Sequence, residues 1–333
     1  LPVPILQVQP LAAEWGTGER IAFLRDGDLW LVRPDGSAQA QVTTSGNATA
    51  LYGWSHDCTR LLLGVGERPV LPETDMPGGK DLWVVWADGH KAEPLVQGLE
   101  VLEARWSPVD ERIVYQTRDA SLQLVYADGK QRTILIGDRT SAWLGPWPWS
   151  PDGRYVIFHK MPSPGEYGYV NLAAIEVETG EILPLTTGPY TDSDAVWSLD
   201  GSEVLFRSNR QEPYGRGRWW LVQADGQNLR LREGKQIGMA GARVSRAPTS
   251  AQVVFWYVEP GTDIPTVWIM DWDGNNLHQL AQGSNPTWSP DGRRIAYTDP
   301  QGALWVINLD GTGARPIVEA DQNPLWYEPY WCR

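Results

Sequence analysis

Apolar residues in this chain fall into short runs, such as Ile21-Ala22-Phe23-Leu24, Leu61-Leu62-Leu63, Leu82-Trp83-Val84-Val85 and Leu304-Trp305-Val306-Ile307. Runs of that length, rich in β-branched and aromatic residues and bounded by turn formers, predict β-strands. No stretch holds a helical period over about 12 residues. No apolar run approaches the ~18 residues of a membrane-spanning helix.

Two kinds of turn punctuate the runs in alternation. The first is the phrase Trp-Ser-Pro-Asp-Gly, whole at Trp149–Gly153 and Trp288–Gly292 and worn at Trp54–Asp57, Trp106–Asp110 and Trp197–Gly201. A degenerate copy, Arg246-Ala247-Pro248-Thr249-Ser250, has lost the Trp. The spacings are 52, 43, 48, 49 and 42 residues. The second is Asp-Gly, at 35–36, 88–89, 128–129, 225–226, 273–274 and 310–311, with Thr179-Gly180 in the same place. Asp-Gly between apolar runs signals a hairpin, because both residues tolerate positive φ.

Each unit therefore reads as four strands. Strand A ends at the Trp, the phrase turns the chain into B, and C and D flank the Asp-Gly turn. Four-stranded units of 40–50 residues, repeated radially, predict an all-β, seven-bladed propeller. The whole chain, 1–333, forms one domain, with 1–10 as an N-terminal extension. Asp321-Gln322-Asn323-Pro324-Leu325-Trp326 echoes Gln282–Trp288 but no further strands follow it. Residues 321–333 are thus expected to supply strand A of the first blade, closing the ring and removing an exposed edge. Residues 11–15 are the alternative donor of that strand.

The Trp-Ser-Pro-Asp-Gly phrase followed by a strand of the Ile295-Ala296-Tyr297 type resembles the TolB-like (WD40-like) β-propeller repeat, over roughly residues 11–331. The resemblance implies the fold and leaves the role open, since such blades serve as periplasmic interaction modules, as sensor domains and as gating domains of serine peptidases.

Composition narrows the field. A net charge of −13 argues against duplex nucleic acid as a partner, because phosphate neutralisation needs a basic face. Two Cys exclude a Cys-based zinc site or a disulfide-rich scaffold. The 19 Trp against 4 Phe suggest a Trp in every repeat. The 5 Lys among 28 basic residues read as a mark of base composition. The start, Leu1-Pro2-Val3-Pro4-Ile5, has neither Met nor a leader, so either a signal peptide has been removed or the chain is a trimmed piece.

Candidate chemistry is sparse. Gly53-Trp54-Ser55-His56-Asp57 nearly spells a hydrolase nucleophile elbow, but lacks the last Gly and the α/β context. His56, His90, His159 and His278 map to different turns and strands, so no metal site and no cofactor are expected. Asp192 and Asp194 offer a few oxygens to a weak Ca²⁺ site, though capping a turn suits them better. The B–C and D–A loops share one face, and four B–C loops are long: 66–80, 161–169, 209–218 and 257–266. The stretch 207–218, which spans one of them, carries Arg207, Arg210, Tyr214, Arg216 and Arg218; with Trp143 and Trp147, read as a D–A loop, these form the expected ligand-binding set. Arg210, Arg216 and Arg218 are taken as exposed, so that their loss should leave stability nearly unchanged.

The expected function is an exported binding or scaffolding module for a protein, peptide or glycan, more a binder than an enzyme, without direct membrane insertion. The alternatives are a lyase or hydrolase acting on acidic oligosaccharides, and the sensor domain of a larger membrane receptor. Cys58 and Cys332 fall in the A–B turns of neighbouring blades on this alignment. A disulfide between them would latch the ring and fit an oxidising compartment, and two unpaired thiols are the alternative.

Overall fold

In a computed structural model, described over residues 5–66, 81–137, 142–160, 168–211, 217–232, 244–258, 261–320 and 329–332, the strands assemble into seven four-stranded antiparallel sheets. Each sheet is one predicted blade. Blade 2 shows the order, with strands A to D at Ala48–Trp54, Arg60–Val65, Asp81–Trp86 and Ala92–Val96. The C–D turns keep their Gly in the left-handed region, with φ from 71° at Gly89 and Gly129 to 92° at Gly274. Gly89 is doubly constrained, because a Cβ there would lie 1.9 Å from the Gln9 carbonyl oxygen.

There is no single core. Successive side chains of a strand point to opposite faces, and a propeller blade is covered on both. Leu61, Leu63 and Val65 pack toward blade 1, whereas Leu62, Leu82 and Val84 pack toward blade 3. Among the described residues seven buried clusters result, one between each adjacent pair of blades. This is why the strands read as continuous apolar runs rather than alternating ones.

The C-terminus closes the ring, as predicted. Tyr330–Cys332 pairs antiparallel with Arg20–Arg25, in the register Arg20↔Cys332, Ile21↔Trp331 and Ala22↔Tyr330. Trp331 stands at the repeated-Trp position; the echo at Trp326 lies outside the described residues. The alternative donor, residues 11–15, is not a strand: Ala13–Gly16 is a 3₁₀ turn. Cys58 and Cys332 form the expected disulfide, with Cα atoms 5.8 Å apart and 274 residues between them. The N-terminal segment runs along the edge of blade 1, where Gln9 N–H donates to the Val42 carbonyl and Val8 bridges Thr43.

Candidate functional site

The repeated Trp binds blade to blade. The indole N–H of Trp149 donates to the carbonyl of Arg105, the residue before the preceding blade's Trp, at 3.2 Å. Trp197 does the same to Pro148 at 3.1 Å, Trp288 to Ser245 at 3.1 Å and Trp54 to Tyr330 at 2.9 Å. The first residue of strand B then covers the next blade's ring. Arg20 lies 5.2 Å over Trp54, Arg60 5.3 Å over Trp106, Arg112 5.6 Å over Trp149 and Arg294 5.0 Å over Trp331. A guanidinium stacks flat where an ammonium cannot, so at these positions the Arg bias has a structural use.

The phrase's Ser is a turn residue. Ser55, Ser150, Ser198 and Ser289 each donate to the Asp two residues on, at 2.6 Å. Each also accepts a backbone N–H from five residues on. The Ser198 hydroxyl, with the Ser202 amide and hydroxyl, holds Asp200 down at about 2. Burial opposes ionisation of Asp57, Asp152 and Asp291, and the Ser and amide hydrogen bonds outweigh it. Ser55 is thus one of four equivalent turn hydroxyls.

At the A–B turn end of the central channel these elements enclose a cavity of about 460 Å³ to which all seven blades contribute. Its wall carries Trp54, Trp106, Trp149, Trp197, Trp288 and Trp331, together with Tyr52, Tyr330 and several prolines. The sixth blade contributes Arg246 in place of Trp. The lining holds one His, His56, two Arg and, among the described residues, no carboxylate. Neither the cavity nor its face was foreseen as a ligand site; the signal in the sequence was the phrase itself, whose Trp residues end strand A in blade after blade.

The residues expected to bind ligand are dispersed. Trp147 lines this cavity. Trp143 is 38% exposed near the opposite end of the same strand, Ala142–Trp149. That segment is strand A of blade 4 and not a loop: it pairs at Ala142–Leu144 and again at Trp149, with a register shift between. Pro146 and Pro148 read as loop formers, yet strand A is the inner edge of its blade and needs hydrogen bonds on one side only. Arg210 is a second correction. Its side chain is 6% exposed and paired with the fully buried Asp192. Nη2 lies 3.1 Å from Asp192 Oδ2, and the guanidinium stacks on Tyr190 at 4.8 Å. Arg207 Nε pairs with Asp194 at 3.1 Å, so both carboxylates of the candidate Ca²⁺ segment are neutralised by Arg. Arg218 donates to Gln211 Oε1 at 3.2 Å. Tyr214 and Arg216 lie outside the described residues.

The four His do not converge. His56 is exposed in an A–B turn, His90 pairs with Asp88 and His278 caps the start of a strand D. His159 is buried, and desolvation lowers its pKa despite the Trp143 carbonyl and the nearby Asp194 and Asp192. Among the described residues no group of three or more His, Cys, Asp or Glu is placed to hold a metal ion.

Known structures share this architecture. TolB from Acinetobacter baumannii is 15% identical, with 99% of this chain and 88% of that one covered and a TM-score of 0.58. A putative TolB from Agrobacterium tumefaciens is 19% identical over 83% and 96%, with a TM-score of 0.57. An oligogalacturonate lyase in complex with manganese is 15% identical over 95% and 87%, with a TM-score of 0.64. At such identities the likeness is one of fold. The family model of the TolB β-propeller domain matches residues 74–332, and the chain belongs to that family.

Proposed function

We propose that this chain is a binding module acting outside the cytoplasm, and that it takes a peptide segment of a partner protein into the cavity at the A–B end of its channel. The observation that carries this reading is the cavity itself: a seven-blade mouth walled by Trp, Tyr and Pro, with two Arg. Aromatic residues with Arg in a concave, desolvated setting are the composition of a binding hot spot. The Cys58–Cys332 bridge supports an oxidising location. No helix among the described residues is long and apolar enough to cross a membrane. Hydrolysis or elimination on an acidic oligosaccharide would call for a carboxylate pair or His cluster in the channel, whereas the Ser and Asp residues of the phrase are spent on turns.

Two faces compete for the ligand, and a face-selective binding assay separates them. Peptides selected from a displayed random library on the wild-type protein should be lost by the cavity-filling substitutions His56→Trp and Pro248→Trp, both at exposed turn positions lining the mouth. They should survive Trp143→Ala and Arg218→Ala on the opposite face. The reverse pattern would move the site to the B–C and D–A loops.

A further inference from the structure

Arg246 breaks the ring of tryptophans, and the fold gives it little in return. At the equivalent place the other blades put an indole, and four of those indoles make an inter-blade hydrogen bond. Among the described residues the Arg246 side chain makes one hydrogen bond, from Nη1 to the adjacent Ala247 carbonyl at 3.5 Å. It is half-buried, desolvation lowers its pKa, and among the described residues no carboxylate offsets the effect. Glu203, which by blade register holds the covering place that Arg60 or Arg112 holds elsewhere, is bound by Arg230 at 2.6 Å. The second cavity guanidinium, Arg105, is already committed to Glu103 and to the Pro146 and Ala104 carbonyls. A partly desolvated guanidinium without a counter-ion costs stability, and an incoming anion would recover it.

The remaining lining restricts the anion's company. The N–H groups of Trp54, Trp149, Trp197, Trp288 and Trp331 are taken by protein acceptors. The Ser55 hydroxyl is spent on its turn, to Asp57. A hydroxyl-rich sugar acid would leave its own polar groups unpaired here, whereas apolar side chains fit the indole faces. The mouth is closed on all sides by seven blades, so a chain end enters it without needing a return path.

We propose that Arg246 is the anchor for the C-terminal carboxylate of a partner polypeptide, whose last apolar side chains lie against the tryptophan ring. This rests on the peptide-binding reading above and deepens it. The test uses small probes and does not require the partner. N-acetyl-phenylalanine, its neutral amide, N-acetyl-aspartyl-phenylalanine amide, galacturonate and inorganic phosphate are titrated against the whole protein. Binding is followed by the protein's tryptophan fluorescence, to which phenylalanine does not contribute. N-acetyl-phenylalanine should bind about tenfold or more tighter than its amide, as loss of a charge-assisted hydrogen bond implies. Arg246→Gln should abolish that preference, and Arg246→Lys should keep part of it. Arg246→Trp, which restores the residue of the sister blades, should fold at least as stably as wild type and also lose the preference. Equal binding of acid and amide to wild type, or a preference that survives Arg246→Trp, overturns the anchor. Stronger binding of galacturonate or phosphate overturns the peptide assignment, and stronger binding of the aspartyl probe overturns the chain-end assignment. An anchor that holds while no partner engages this face would leave the carboxylate site standing and remove the partner reading alone.

Discussion

A single indole nitrogen carries much of what holds one blade to the next. Trp197, 2% exposed, donates to the Pro148 carbonyl. The N–H of Trp106 meets no acceptor among the described residues. The pair makes a controlled comparison. Trp197→Phe should cost about 1–3 kcal/mol more than Trp106→Phe in denaturant unfolding, because it strands a buried carbonyl while both lose similar volume. Arg210 is a sharper case. Replacement by Ala leaves the buried Asp192 charge unpaired, and should cost about 3–5 kcal/mol by the same measurement. The sequence shows that Trp recurs and where it sits. It does not show what the N–H bonds to, since the acceptor lies some 40–50 residues back in the preceding blade. For the same reason Arg210 looked like a surface cation: Asp192 is 18 residues away and meets it only across the A and B strands of blade 5.

At the scale of strands, the turns were legible and the inner edge was not. The six Asp-Gly pairs that follow a strand C, and Thr179-Gly180, fall at C–D turns, because positive φ writes itself into residue choice. Trp143–Trp149 reads as a loop because its two prolines argue against a paired strand, yet it is a strand, since the channel edge asks for no second partner. The closing strand is three residues, Tyr330–Cys332, but it takes part in three kinds of contact: the ladder to strand B of blade 1, the disulfide to Cys58, and the carbonyl that receives the Trp54 indole. Deleting residues 321–333 removes all three and exposes a sheet edge, so aggregation or loss of the cooperative melt is expected. Cys58→Ser with Cys332→Ser removes the bridge alone. In the chain-entropy model a loop this long contributes as much as about 5 kcal/mol, and part of that should appear as a lower melting temperature under non-reducing conditions. A truncated chain that melts as wild type would contradict the closure.

At the scale of the molecule, the repeated Ser-Asp turns make the propeller acid-sensitive in a defined direction. Asp200 has a folded pKa of about 2 against an ordinary 3.8, and Asp57, Asp152 and Asp291 are shifted the same way. A depressed carboxylate stabilises the fold above its ordinary pKa, and that stability is lost as pH falls through the folded value. His159 adds an earlier loss, because its lowered pKa makes the folded state resist protonation below the ordinary 6.5. Melting temperature should therefore decline from about pH 6 and fall steeply between about pH 4 and 2. Ser198→Ala should make the acid transition begin at higher pH.

The whole-molecule question is which end of the channel meets the partner. Loop length drew attention to one face, whereas the cavity of about 460 Å³ is made by short, regular turns on the other. Hydrogen–deuterium exchange of the protein with and without a ligand recovered from its native source tests this most directly. Protection is predicted at the A–B turns, 55–59, 107–111, 247–251 and 289–293, and at the closing strand around Trp331. Protection confined to the opposite face, at 143–145, 209–211 and 261–265, would contradict the account.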